Sequence, residues 1–327
     1  MFSYLKNIYS RDKFLGAGRK DNYFEGWYFK CVGPETGDKI AIIPGIFISR
    51  DSGKAHSFIQ YLDGAESRYF RYGIDEFKPH PDLFKIEIAG SFFSLNNIEL
   101  NIESESCGIK GILEFTGIHP WPKSFIAPGA MGWYSYVPFM ECNHGIISMK
   151  HDISGSLRIN GEEKVFTGGK GYIEKDWGSR FPEAYVWAQC NHFDAAGISV
   201  MISIAKIPWL GSSFTGFICG IMIDRELYVM ATYTGAKLDY LEIEDNTARF
   251  SLSDKKRTFR GEIIKSGGAD LGSPYESDML TRVNESMDSI IKTEFIDRSN
   301  AITIFNLEGN PASVEITGNR KEIITSI

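Results

Sequence analysis

Apolar and polar residues alternate with a period of two along most of this chain. Phe84-Lys85-Ile86-Glu87-Ile88 and Ile98-Glu99-Leu100-Asn101-Ile102 alternate without a break. That is the pattern of strands with one face in a core and the other in water. Residues 39–48, 57–62, 111–115, 145–149, 156–159, 185–193, 198–204, 217–223, 227–233, 248–252, 261–264, 290–295, 301–305 and 312–317 read as further strands. Asp63-Gly64, Asn160-Gly161 and Glu308-Gly309-Asn310 are turn signals between them. Asn160-Gly161 is the strongest hairpin signal, because a two-residue type I′ turn needs two residues that tolerate positive φ. Helical spacing is scarce, with weak candidates at 4–13 and 277–289. Strands without intervening helices argue against βαβ units and predict an all-β chain of antiparallel sheets closing into barrels or sandwiches. A chain of 327 residues suits two domains of about 150 residues each. Two β-barrel domains are therefore expected, residues 1–165 and 166–327. The boundary, good to about 20 residues, sits near Thr167-Gly168-Gly169-Lys170-Gly171.

With 43% hydrophobic and 24% charged residues the chain can bury a core and is not disordered. The net charge of −7 argues against nucleic acid as a partner. Cys31, Cys107, Cys142, Cys190 and Cys219 are scattered, with no CxxC pair. A disulfide framework or structural zinc is thus not expected, and a reducing, cytoplasmic setting fits. The first residues, MFSYLKNIYSRDKF, carry no apolar run of the kind a signal peptide needs. The longest nearly apolar stretch, 217–223, is far short of the roughly 20 residues of a membrane helix. Peripheral contact with a membrane stays open, with Ile207-Pro208-Trp209-Leu210 as the candidate; a turn packed on the core is the reading preferred for it.

Phosphate-loop, dinucleotide-binding, nucleophile-elbow and HExxH patterns are all missing, and the six histidines show no metal-ligand spacing. Three segments are chemically dense: Phe24–Lys30, 129–145, and 172–193. In the third, Trp187, Gln189, Asn191 and Phe193 share one strand face, and Val186, Ala188, Cys190 and His192 the other. The first set suits a cavity wall with a few placed polar groups. Tyr172, Glu174 and Asp176 likewise share a face, opposite Lys175 and Trp177. Two carboxyl groups buried side by side do not both ionise cheaply, which leaves one as a proton donor near neutral pH. Plainer readings compete. Trp27 suits a core aromatic, Glu174-Lys175-Asp176 a solvated edge, and Arg180 a loop pair with Glu183. His144, in Glu-Cys-Asn-His-Gly, is a site candidate or a turn residue. His144 and His151, seven apart, face opposite ways on one strand. Lys255, Lys256, Arg257 and Arg260 read as an exposed hairpin turn.

The segments FEGWYFK (Phe24–Lys30), the Pro-Gly…Trp-Tyr stretch at 128–134, and above all EKDWGSRFPEAYVWAQCNHF (174–193) resemble the tocopherol cyclase family. The resemblance implies two lipocalin-like antiparallel β-barrel domains. It also implies an intramolecular cyclisation. A prenylated, phytyl-type benzoquinol is protonated at its side-chain alkene, and the ring hydroxyl captures the tertiary cation to give a chromanol. That chemistry calls for an acid, a dry pocket and aromatic faces, with no redox cofactor and no metal. Glu174, Glu25 or Asp176 would supply the acid. Trp27, Tyr28, Trp133, Trp177 and Trp187 would line the substrate site, with Gln189 and Asn191 holding the head group. The family pattern has Asn at position 176, so the acid role carries over better to Glu174 and Glu25. The substrate expected is a prenylated quinol or another isoprenoid. A non-catalytic carrier of a hydrophobic isoprenoid or quinone, and an isoprenoid hydratase, are the alternatives.

Overall fold

The structure, a computed structural model, describes residues 8–35, 37–64, 66–105, 107–275, 278–319, 321 and 323. Period-two alternation becomes strand almost throughout. The first sheet comprises β1 (Tyr23–Val32), β2 (Lys39–Ile48), β3 (His56–Leu62), β4 (Ser67–Tyr72), β5 (Phe77–Pro79), β6 (Lys85–Ile88), β7 (Ser91–Ser94), β8 (Asn97–Glu103), β9 (Gly108–Thr116), β10 (Cys142–Ile159), β11 (Glu162–Val165) and β12 (Gly169–Gly178). Its order is β4-β3-β2-β1-β12-β10-β9-β8-β7-β6-β5, with β11 on β10. The second comprises β13 (Tyr185–Cys190), β14 (Ile198–Trp209), β15 (Ser212–Ile223), β16 (Glu226–Ala231), β17 (Lys237–Glu244), β18 (Thr247–Ser253), β19 (Arg257–Ile264), β20 (Ala269–Tyr275), β21 (Asp278–Asp297) and β22 (Ile302–Thr317). Its order is β16-β15-β14-β13-β22-β21-β19-β18-β17, with β20 on β21. The fold is thus all-β with two antiparallel sheets, as the alternation predicts. In neither does the hydrogen-bonded order among the described residues return to its first strand, so the closure expected of a barrel is not seen in the ladders.

Two compact units follow. One takes the described residues of Met1–Ala130, Ser135–Phe181 and Leu271–Arg282; the other takes Met131–Tyr134, Pro182–Asp270 and Val283–Ile327. The glycine-rich stretch 167–171 leads into β12, an inner strand of the first sheet. Leu271–Arg282 joins the first unit through Gln60, which accepts from the Gly272 N–H (2.7 Å) and donates to its carbonyl (3.0 Å).

Each unit buries its own core. In the first, Trp27 stacks on Phe84 (5.8 Å) and Phe29 on Phe115 (6.0 Å), among Ile42, Ile59, Ile98 and Leu113. In the second, Val186, Ala188, Cys190, Ile202, Phe250, Phe259 and Val314 cluster. This bears out the parity reading of 186–190, whose small apolar face looks into a core. The Asn160-Gly161 turn between β10 and β11 has φ of 51° and 89°, as a type I′ hairpin requires. The expected helix at 277–289 is instead strand β21. Antiparallel pairing with β22, Glu285 opposite Glu315 and Ser289 opposite Ala312, outweighs the helical spacing there. Of the other helix candidate, residues 4–7 lie outside the described residues and Ile8–Lys13 form turns.

Candidate active site

The local geometry starts from strand β12, which pairs with β1 on one side and β10 on the other. Across β1, Trp177 lies opposite Glu25, Lys175 opposite Trp27, Glu174 opposite Tyr28, and Asp176 opposite Gly26. Across β10, Asp176 lies opposite His144 and Glu174 opposite Ile146. Successive residues point to opposite faces, so Glu25 and Glu174 are on different sides of the same sheet. The structure does not bring these two expected acids together.

Glu25, Trp27, Lys175 and Trp177 face the core side. The Lys175 ammonium meets Glu25 Oε1 at 2.5 Å, and neither side chain is more than 1% exposed. It also donates to the carbonyls of Arg11 (2.7 Å) and Lys13 (2.6 Å). Its cation lies 4.6 Å from the Trp27 ring and 5.0 Å from that of Trp177. Burial pulls the Lys175 pKa below its ordinary value, with Glu25 opposing that pull. Glu25 accepts from the Leu15 N–H (2.9 and 3.1 Å) and from the Tyr23 hydroxyl (2.6 Å) as well. Glu25 is engaged by the Lys175 ammonium on the core side of the sheet, away from Glu174. Glu25 therefore fastens the segment Arg11–Leu15 against β1. Trp27 does the same, its indole N–H donating to the Asp12 carbonyl at 2.7 Å. Trp27 is a core aromatic facing the protein's own lysine. Trp177 faces that lysine too, with the Arg11 guanidinium 5.5 Å from its ring.

A cavity of about 230 Å³ opens beside Trp177, between Arg11, Asp12, Trp121, Pro128, Ile146 and Ile147.

The other face carries Tyr172, Glu174, Asp176, Tyr28 and His144. The Tyr172 hydroxyl donates to Glu174 Oε2 at 2.5 Å. His144 Nε2 lies 3.5 Å from that same oxygen, and Nδ1 lies 2.9 Å from Asp176 Oδ1. Burial alone would lower the His144 pKa, but Asp176 and Glu174 outweigh it and raise it to about 9. Burial and the Glu174 charge push the Tyr172 hydroxyl well above its ordinary value. The solvated-edge reading of 174–176 thus fails for Glu174, which is 7% exposed in its side chain, while Asp176 is 24% exposed. His144, read as a site candidate or a turn residue, is a strand residue whose ring joins the two carboxylates. Ligand atoms of His144, Glu174 and Asp176 lie within 4.8 Å of one another. A divalent metal would take one imidazole nitrogen away from its carboxylate. With a carboxyl group near each nitrogen, hydrogen-bonded at Nδ1 and 3.5 Å away at Nε2, the trio has the form of a chain of polar groups.

The remaining expected residues belong to the second unit. Trp187 and Gln189 are buried on the non-core face of β13, and Asn191 is buried just past its end. Trp187 lies opposite Glu315 of β22, and Glu315 lies opposite the buried Glu285 of β21. The Tyr185 hydroxyl donates to Glu315 at 2.6 Å. Sequence reasoning missed both glutamates, since a single carboxylate on a long strand reads as solvent-facing. Trp133 is partly exposed and stacks on Tyr134 at 3.9 Å. Arg180 pairs with Glu141 (2.8 and 2.7 Å) rather than with Glu183, which holds Lys206. Lys255 and Lys256 occupy the exposed β18–β19 turn, as expected, whereas Arg257 and Arg260 lie on strand β19.

The sequence profile of the tocopherol cyclase-like family matches residues 108–318, well over half of the chain. The chain belongs to the tocopherol cyclase-like family. The matched span includes His144, Tyr172, Glu174 and Asp176 and leaves out Glu25, Trp27 and Tyr28. Two plant relatives align over 110 residues: a probable chloroplastic tocopherol cyclase of Oryza sativa subsp. japonica at 34% identity, and the chloroplastic tocopherol cyclase of Zea mays at 33%. Each alignment covers 32% of this chain but only 23% of the plant protein. Among solved structures, CghA superposes with a TM-score of 0.56 at 8% identity, over 91% of this chain and 89% of that one. CghA with Sch210972 gives 0.53 at 9% identity, with the same coverage. At that identity the likeness is one of fold. Among the described residues no helix is long and apolar enough to cross a membrane.

Proposed function

We propose that the chain is an acid-catalysed cyclase acting on a prenylated quinol, with Glu174 as the proton donor. The observation that carries this reading is the surroundings of Glu174. It is a buried carboxyl on the non-core face of β12, hydrogen-bonded by Tyr172 at 2.5 Å and bordered by His144 at 3.5 Å. Tyr28, its neighbour across β1, presents an aromatic side chain on the same face. Membership of the tocopherol cyclase-like family supports a cyclase or hydratase type of reaction.

In this reading Glu174 transfers its proton to the less substituted alkene carbon. The charge develops on the tertiary carbon, where aromatic faces stabilise it. The ring hydroxyl oxygen closes the C–O bond and loses its proton, so substrate and chromanol are isomers and the proton count balances. No electron transfer occurs, so the step calls on no redox cofactor. Proton transfer from a positioned side chain is worth about 10²–10⁴-fold in rate.

The test is incubation of the pure protein with a phytyl benzoquinol in detergent, followed by chromatography and mass spectrometry. The expected product is a chromanol of unchanged mass, and Glu174→Gln loses at least about 10²-fold in kcat while still binding substrate. A product heavier by one water would mark hydration. Binding without turnover, indifferent to Glu174→Gln, would mark a carrier.

A further inference from the structure

We propose that His144 and Asp176 form a proton relay that recharges Glu174, with His144 as a positioning residue held as an imidazolium between the two carboxyl groups. This rests on the reading of Glu174 as the acid. The geometry is a chain with graded exposure. Side-chain exposure is 24% at Asp176, 15% at His144 and 7% at Glu174, and the chain ends at the fully buried Tyr172. Each imidazole nitrogen is directed at a different carboxyl group, at 2.9 Å and 3.5 Å. A histidine placed only to cap one aspartate would need one of those contacts. The register builds the chain: His144 sits directly opposite Asp176, and Glu174 is two residues along on the same face.

The proton inventory closes over one turnover. At rest Asp176 is a carboxylate that holds Nδ1–H, Glu174 carries the proton it will donate, and Nε2–H lies 3.5 Å from it. Once Glu174 has protonated the alkene, Nε2–H moves to its carboxylate and the imidazole becomes neutral. The ring hydroxyl releases one proton as the C–O bond forms. Passed through water, that proton restores the imidazolium. Asp176 stays a carboxylate and stabilises the cation at each return, as an aspartate beside a catalytic histidine does. Of the other titratable groups near the ring, Tyr172 and Cys142 are neutral, and Arg11, Asp12, Lys123 and Lys175 line the cavity that His144 also borders. Tyr172 is held protonated by its burial. Cys142, on the same strand, has its thiol pushed well above the ordinary value by burial and the nearby carboxylates. Tyr28 lies one strand beyond Glu174. Glu141 is already engaged by Arg180.

The test has an arm that needs no substrate. Nitrogen-15 NMR of labelled histidine, with the signal assigned by its loss in His144→Gln, should show His144 titrating near pH 9 in the full chain. Asp176→Asn should lower that midpoint by at least one pH unit. A midpoint at the ordinary histidine value, or one unmoved by Asp176→Asn, overturns the relay. In the activity arm, His144→Ala should lower kcat by about 10²-fold with little change in KM, and added imidazole should restore part of it. Asp176→Asn should lower kcat and shift the alkaline limb of its pH profile downward. Loss of activity that imidazole does not restore, with an unchanged pH profile in Asp176→Asn, also overturns the relay. If the wild-type protein cyclises no prenyl quinol, the reading of Glu174 falls, while the NMR titration still decides whether the chain of polar groups exists.

Discussion

Lys175 shows how one side chain can set the surroundings of a strand. Its ammonium is buried with Glu25 and caps two backbone carbonyls of Arg11–Leu15. Removing one partner of a buried pair costs about 3–5 kcal/mol, because the other charge stays desolvated. Lys175→Met should therefore lower stability by about that much in chemical denaturation. Adding Glu25→Gln should return part of the loss, since Gln still accepts from Tyr23 and Leu15 without a bare charge. A double variant no more stable than Lys175→Met would contradict this account. The alternation of Glu174-Lys175-Asp176 already assigns Lys175 to the opposite face from the two acids. Its partner at Glu25, some 150 residues earlier in the chain, is invisible without the β1–β12 register.

At the level of elements, the long strand β10 runs from the site into the β9 ladder. It carries glycines where neighbouring strands come close. Gly155 has φ of +109°, and a Cβ there would meet the Ile112 carbonyl oxygen at 2.1 Å. Neither the backbone angle nor the space admits a side chain. Gly155→Ala should destabilise the first unit by more than about 1 kcal/mol, read as a lower thermal midpoint. A midpoint equal to wild type would show that the β9–β10 pairing gives way more easily than the register implies. The alternation of β6 and β8 and the Asn160-Gly161 hairpin were legible because each rests on local backbone chemistry. The same local reasoning placed a helix at 277–289, where pairing with β22 decides for strand. It also split β10 into two runs, because register shifts at 146–151 interrupt the alternation within one strand.

For the whole molecule, two buried histidines shape stability against pH from opposite sides. The folded pKa of His144, about 9, lies above its ordinary value of 6.5. Its contribution is fully present below pH 6.5 and is lost as pH rises toward about 9. His151, packed 4.5 Å from the Phe115 ring, has its pKa lowered by burial to about 3. Its contribution is present above pH 6.5 and is lost as pH falls toward about 3. Thermal midpoints should therefore fall on both sides of that range. Asp176→Asn should flatten the alkaline flank and His151→Gln the acid one. An alkaline flank unchanged by Asp176→Asn would mean that His144 is not held by Asp176 in the folded protein.

By itself the sequence determined the fold class, the two faces of β12 and β13, and the family, because period-two alternation and a long motif are properties of consecutive residues. It also placed Tyr172, Glu174 and Asp176 on one face. Tertiary structure alone decided what those residues do there. Strand pairing put His144 between the two acids, turned Glu25 to the other side of the sheet, and gave Lys175 to Glu25. Burial then set which charges are shared and which are screened. Register and desolvation join residues far apart in the chain, and no local pattern encodes either.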